Sequence, residues 1–103
     1  MKLIEAIEKG RMRVDRWGRG LIYHCDTYYF SSRETQACAV GMAWLGTHDT
    51  NITAIDEHSI EMWIRHAIGP IPSSEIMRMK DNAASYEDML EQLKKHNLAN
   101  LEI

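Results

Sequence analysis

Long apolar runs are missing from this sequence: nowhere does it approach the roughly 18 to 20 consecutive apolar residues that cross a bilayer. The opening Met1-Lys2-Leu3-Ile4-Glu5 meets an acid almost at once and lacks the apolar stretch of a secretory signal. A cytoplasmic location and no membrane partner are therefore expected. Cysteine is scarce as well. Cys25 and Cys38 are the two present, and without export they are expected as reduced thiols rather than a disulfide. The Asn51-Ile52-Thr53 pattern then carries no glycan. No glycine-rich loop opens a helix in a phosphate-binding frame, because Gly18 and Gly20 fall in a turn-like stretch. No nucleophile elbow occurs, and no base is paired with either cysteine. No cofactor, catalytic residue or metal ligand is assigned, and an enzyme has no support from any motif.

What is present is an ordinary globular composition. The chain has 103 residues, 45% hydrophobic and 26% charged, which argues against disorder and reads as one complete soluble domain over 1–103, with a single core. The net charge of −3 conceals an asymmetry. Residues 1–33 carry seven Lys or Arg against four acids, and residues 34–103 carry five against eleven. A basic end and an acidic end can steer a partner, or a second copy of the chain in self-association. On small domains such imbalance is more often solvated surface.

Leu3, Ile4 and Ile7 against Glu5 and Glu8 predict a short amphipathic helix over 2–9, with Gly10 as the residue that ends it. From Met12 the period becomes two. Met12 and Val14 alternate with arginines, Trp17-Gly18-Arg19-Gly20 supplies a turn, and Leu21, Tyr23 and Cys25 alternate again before Tyr28-Tyr29-Phe30. This is the pattern of a small antiparallel hairpin or three-stranded meander. Ser31 with Glu34 has the spacing of a capping box, and a helix is expected from there to about Leu45, stopping at Gly46. Its middle, Ala37 to Leu45, is apolar on every side and belongs at the centre of the fold. Gly41 would cost such a helix about 1 kcal/mol against Ala, so a close approach of another element is expected there.

Further helices are expected from about Ala54 or Asp56 to Ile68, ended by Gly69-Pro70-Ile71-Pro72, then from Ser73 or Ser74 to about Lys80. A last one, capped by Ser85 with Asp88, turns Met89, Leu90 and Leu93 inward and stops at Asn97. The fold class is α+β, mainly α: a bundle of about five helices with the small β element near the N-terminus.

His24, Cys25, Cys38 and His48 are the only set with metal-ligand chemistry, and their spacing matches no zinc pattern. Cys38 in so apolar a stretch reads as a core residue. His58 and His66 read as exposed. The segment 11–29 is more suggestive, since Arg11, Arg13, Arg16 and Arg19 interleave with Trp17, Tyr23, Tyr28 and Tyr29. Arginine with aromatics suits a protein-interface hot spot, and it also suits stacking on single-stranded nucleic acid. These residues equally fit plain scaffold, with the aromatics covering the core. A sequence pI of about 5.9 counts against nucleic acid.

Cys38-Ala39-Val40-Gly41-Met42-Ala43, the Glu5-Ala6-Ile7…Gly10 opening, and Asp81-Asn82 followed by Ser85-Tyr86-Glu87-Asp88 resemble a group of small uncharacterised phage and bacterial proteins. That group carries a Cys-Ala-Leu-Gly-Ala-like core helix. Here Val40 and Met42 replace its usual residues, and Asp81-Asn82 reverses its order. The resemblance covers most of the chain and transfers no functional residue. It implies a phage or mobile-element origin, hence the host cytoplasm and a role in binding and blocking a host protein. The expected function is thus a non-enzymatic protein-binding role as inhibitor or accessory factor. A nucleic-acid-contacting protein stands second, and a metal- or thiol-dependent enzyme third.

Overall fold

Two helices meet backbone to backbone in the core. The structure, a computed structural model, describes residues 1–18, 23–25, 35–48 and 57–103, without the side chains of 23–25, 35, 36, 57 and 80. Helix α1 (Leu3–Arg11) buries Leu3, Ala6, Ile7 and Gly10, one face at helical spacing. Helix α2 (Ala39–Thr47) buries Ala39 to Ala43, Leu45 and Gly46, leaving little more than Trp44 and Thr47 toward the outside. At the crossing, Gly10 lies on the Met42 backbone and Gly46 on that of Ala6. The two helices therefore run in opposite senses, with no side chain between them. Gly10 is not a helix stop: α1 continues through it, because it is the residue that lets α2 come close.

The chain leaves α1 in a turn, and three short strands follow among the described residues: β1 (Arg16–Trp17), β2 (Tyr23–Cys25) and β3 (Thr35–Ala37). Their order is β1-β3-β2, with β3 parallel to β1 and antiparallel to β2. This is not a meander of consecutive strands. Residues 12–15, read as a strand from their alternation, form the turn instead. Met12 is 86% exposed while Val14 is buried, so the alternation did not mark one buried face. Thr35–Ala37, read as helix, is the middle strand, held by pairing to Arg16–Trp17 and Tyr23–Cys25. The expected strand at 28–30 and the Ser31–Glu34 capping box lie outside the described residues.

The remaining described helices are α3 (Glu57–Ile68), α4 (Pro70–Asn82) and α5 (Tyr86–Lys95). The protein is mainly helical, as its periodicity indicates. Helix α3 buries Ile60 and Ile64, and the expected start at 54–56 lies outside the described residues. Gly69, at φ 92°, ends α3 and admits α4 directly. The prolines that stop one helix begin the next, because the first helical residues need no N–H of their own. Ser73 and Ser74 are therefore not caps. Their hydroxyls donate back to the Pro70 carbonyl at 3.1 and 2.8 Å.

Ser85 does cap α5, accepting from the Asp88 N–H at 3.1 Å. Asn97, at φ 59°, reverses the chain after α5. Its N–H donates to the Lys94 carbonyl and that of Leu98 to the Leu93 carbonyl, which satisfies two carbonyls the helix end would orphan. The tail that follows returns to α1. The N–H groups of Leu3 and Ile4, at the start of α1, donate to Leu101 O (2.7 Å) and Ala99 O (2.9 Å). Leu98 and Ala99 are buried in the same core.

Cys38 is fully buried, but it stands at the N-cap of α2 and not within the helix. This changes what a polar residue there would do. In a helix interior Asp would strand a charge; at an N-cap its oxygens can accept the first helical N–H groups. Cys38→Ser is expected to shift stability by less than about 1 kcal/mol, because the lost apolar contact is offset by a cap. The wild-type thiol should label with a thiol reagent only as the protein unfolds. Rapid labelling of folded protein would refute its burial.

Candidate functional site

The turn after α1 carries Arg13 across the far end of α2. Its N–H donates to Gly10 O at 2.9 Å, which fixes the direction in which the side chain leaves. Its Nη1 then donates to Leu45 O and to His48 O, each at 2.6 Å. Those carbonyls sit at a helix C-terminus, where backbone acceptors are orphaned and the dipole favours a cation. Arg13 is thus built into the fold as a lid on α2, as well as being part of the surface.

His48 lies beside it in extended backbone. Its ring stacks on Trp44 (centroids 4.6 Å, planes 12° apart) and meets Trp63 of α3 edgewise at 5.3 Å. Nδ1 is 3.0 Å from Trp44 O, an acceptor that a proton on that nitrogen would satisfy. Thr47 Oγ1 closes the cluster, 2.9 Å from that nitrogen and within 3.0 Å of Ala43 O and Trp44 O.

Lys9, on α1, faces the same end of α2. Lys9, Arg13, Leu45, Gly46, Thr47 and His48 line an open cleft of about 440 Å³. Two of the six carry a full positive charge and none is an acid. Lys9 is exposed and makes no ion pair among the described residues. The cleft presents cationic donors beside the His48 ring, which suits a carboxylate-bearing or other anionic group.

The structure distributes the rest of the Arg/aromatic segment. Arg11 turns the other way: its Nη1 donates to Val14 O at 3.0 Å and its guanidinium lies 5.7 Å over the ring of Tyr86 on α5. Burial raises the pKa of that tyrosine above its ordinary value, Glu8 adding to the effect and Arg11 opposing it. Arg16 is exposed on β1. Trp17 is half-buried against the core, and its indole N–H is buried without an acceptor among the described residues. Tyr23 lies in β2; its side chain, together with Arg19, Tyr28 and Tyr29, lies outside what is described. Of the sequence candidates whose side chains are described, only Arg13 lines the cleft.

Sequence reasoning passed over Lys9, Thr47, Trp44 and Trp63, and weighed His48 only as a metal ligand. The contacts that assemble the cleft join Arg13 to residues 32 and 35 positions away, a separation no local pattern announces. No helix among the described residues is long and apolar enough to cross a membrane. Comparison with known protein families, with curated proteins and with solved structures finds no match to this chain.

Proposed function

We propose that this chain is a non-enzymatic binding protein whose basic cleft receives an acidic segment of another protein. The observation that supports it is the meeting of Lys9 and Arg13 at one open cleft, with no acid among the described residues that line it. Arg16, on the next element along the chain, is a further exposed cation. The resemblance to small phage and bacterial proteins gives the role its character, that of an inhibitor or accessory factor acting on a host protein. Nucleic acid is the second reading, since the same cations suit phosphate. It stands behind because Trp44 is stacked on His48, Trp63 meets that same ring, and Trp17 packs against the core. Base stacking needs open aromatic faces.

Lys9→Glu and Arg16→Glu test the reading without disturbing the lid that Arg13 forms. Both positions are exposed, so melting temperatures should stay close to wild type. Pull-downs from host lysate, compared quantitatively with wild type, should lose the same captured protein with Lys9→Glu. With that protein purified, affinity should fall at least about tenfold. Unchanged capture by both variants would sink the proposal. Affinity for nucleic acid that falls steeply with salt, in proportion to the phosphates neutralised, would replace it with the second reading.

A further inference from the structure

A second cleft, between α4 and α5, uses none of the residues of the first. Glu75, Arg78, Met79 and Asn82 recur at helical spacing on one face of α4, opposite Gln92 and His96 of α5 and the cap that follows it. They line an open space of about 300 Å³, the lower end of the range for small-molecule sites. Glu75 and Arg78 stand three apart, a spacing at which opposite charges on a helix readily pair. Elsewhere in this protein they do: Glu61 with Arg65 at 4.0 Å, and Glu91 with Lys94 at 3.9 Å. Around this cleft they do not. The side chains of Glu75, Arg78, Gln92 and His96 make no hydrogen bond or ion pair among the described residues. Asn82 donates Nδ2 to Arg78 O at 3.0 Å, which leaves its Oδ1 as an acceptor.

We infer that this cleft is a binding site for a small zwitterion of the amino-acid class. A guanidinium fork matches a carboxylate in shape and charge, and the Glu75 carboxylate one helical turn away complements an ammonium. The two amides, from Asn82 and Gln92, can donate to the carboxylate or accept from the ammonium. Met79, a flexible thioether among them, gives an aliphatic side chain something apolar to lie on. A ligand with one charge alone would leave the opposite member of the pair unanswered.

Titration of the full-length isotope-labelled protein with L-leucine, followed by amide resonances, tests the assignment. Millimolar L-leucine should move resonances of 75–82 and 92–96 saturably. L-leucinamide, which lacks the carboxylate, and N-acetyl-L-leucine, which lacks the ammonium, should each bind at least about tenfold more weakly, as a site built around both groups requires. Arg78→Gln should remove the preference over leucinamide, and Glu75→Gln the preference over N-acetyl-leucine. Absence of a saturable shift, or equal binding of the three compounds by wild type, overturns the inference. The wild-type series decides alone if a variant fails to fold.

Discussion

Gly10→Ala should lower the melting temperature sharply, and Gly10→Val should abolish cooperative unfolding altogether. In an isolated helix the first change would stabilise by about 1 kcal/mol, since Ala has the higher propensity. Here the sign reverses. A Cβ on Gly10 would overlap the Met42 carbonyl oxygen and stand 2.5 Å from its carbon, and the obstacle is backbone of a buried helix. Gly46 is the counterpart: a Cβ there would overlap the Ala6 carbonyl oxygen and lie 2.7 Å from its carbon. Rigid elements cannot yield as a flexible side chain does. The crossing must open, and overpacking of about 1–3 kcal/mol in ordinary cores becomes more than that. Gly46→Val should match Gly10→Val. A Gly10→Ala protein melting at or above the wild-type temperature would show that α1 and α2 do not touch.

Removal of residues 98–103 should be comparably severe. It takes away Leu101 O and Ala99 O, the acceptors for the Leu3 and Ile4 N–H groups, and orphaned donors in a core cost about 1–3 kcal/mol each. It also takes away buried Leu98, roughly 2 kcal/mol of apolar burial. Together these approach the whole stability of a small domain, about 5–15 kcal/mol. Thermal unfolding followed by circular dichroism should show a broad, non-cooperative loss of signal. Removing only Glu102 and Ile103 should be mild, since the ion pair from the Met1 ammonium to Glu102 is solvent-facing. A truncation at Leu98 that melts within a few degrees of wild type would overturn this account of the tail.

These two features show which parts of the fold were legible. The amphipathic spacing of Leu3 and Ile7, the apolar run from Ala39 to Leu45, Ile60 with Ile64, and Met89 with Leu93 are local patterns, and each became a buried helical face. Ser85, Asp88 and Asn97 act within a turn of their own helix, so their roles followed from spacing too. Gly10 and Gly46 were misread as helix ends, because a glycine that stops a helix and one that admits a neighbour look the same in one dimension. Close approach was expected at Gly41, which is buried; the close approaches shown are those of Gly10 on Met42 and of Gly46 on Ala6. Thr35–Ala37 is a strand through pairing with segments far from it in sequence. The cleft was the least legible part. Arg13 stood out for its charge, yet what fixes it at the cleft are the Leu45 and His48 carbonyls, which carry no sequence signature.

The tail also dictates an order of events. The donors at the start of α1 find their acceptors about a hundred residues later, in Ala99 and Leu101. Contacts so distant along the chain close late, because loop entropy must be lost before they form. During synthesis α1 emerges before the other described helices, long before these acceptors. Its apolar face can rest on α2 as soon as Thr47 is clear, but its first turn stays uncapped until the chain has been made through Leu101. On this ground folding is completed after translation of the described chain and not alongside it, with α1 made before the other described helices and secured after them.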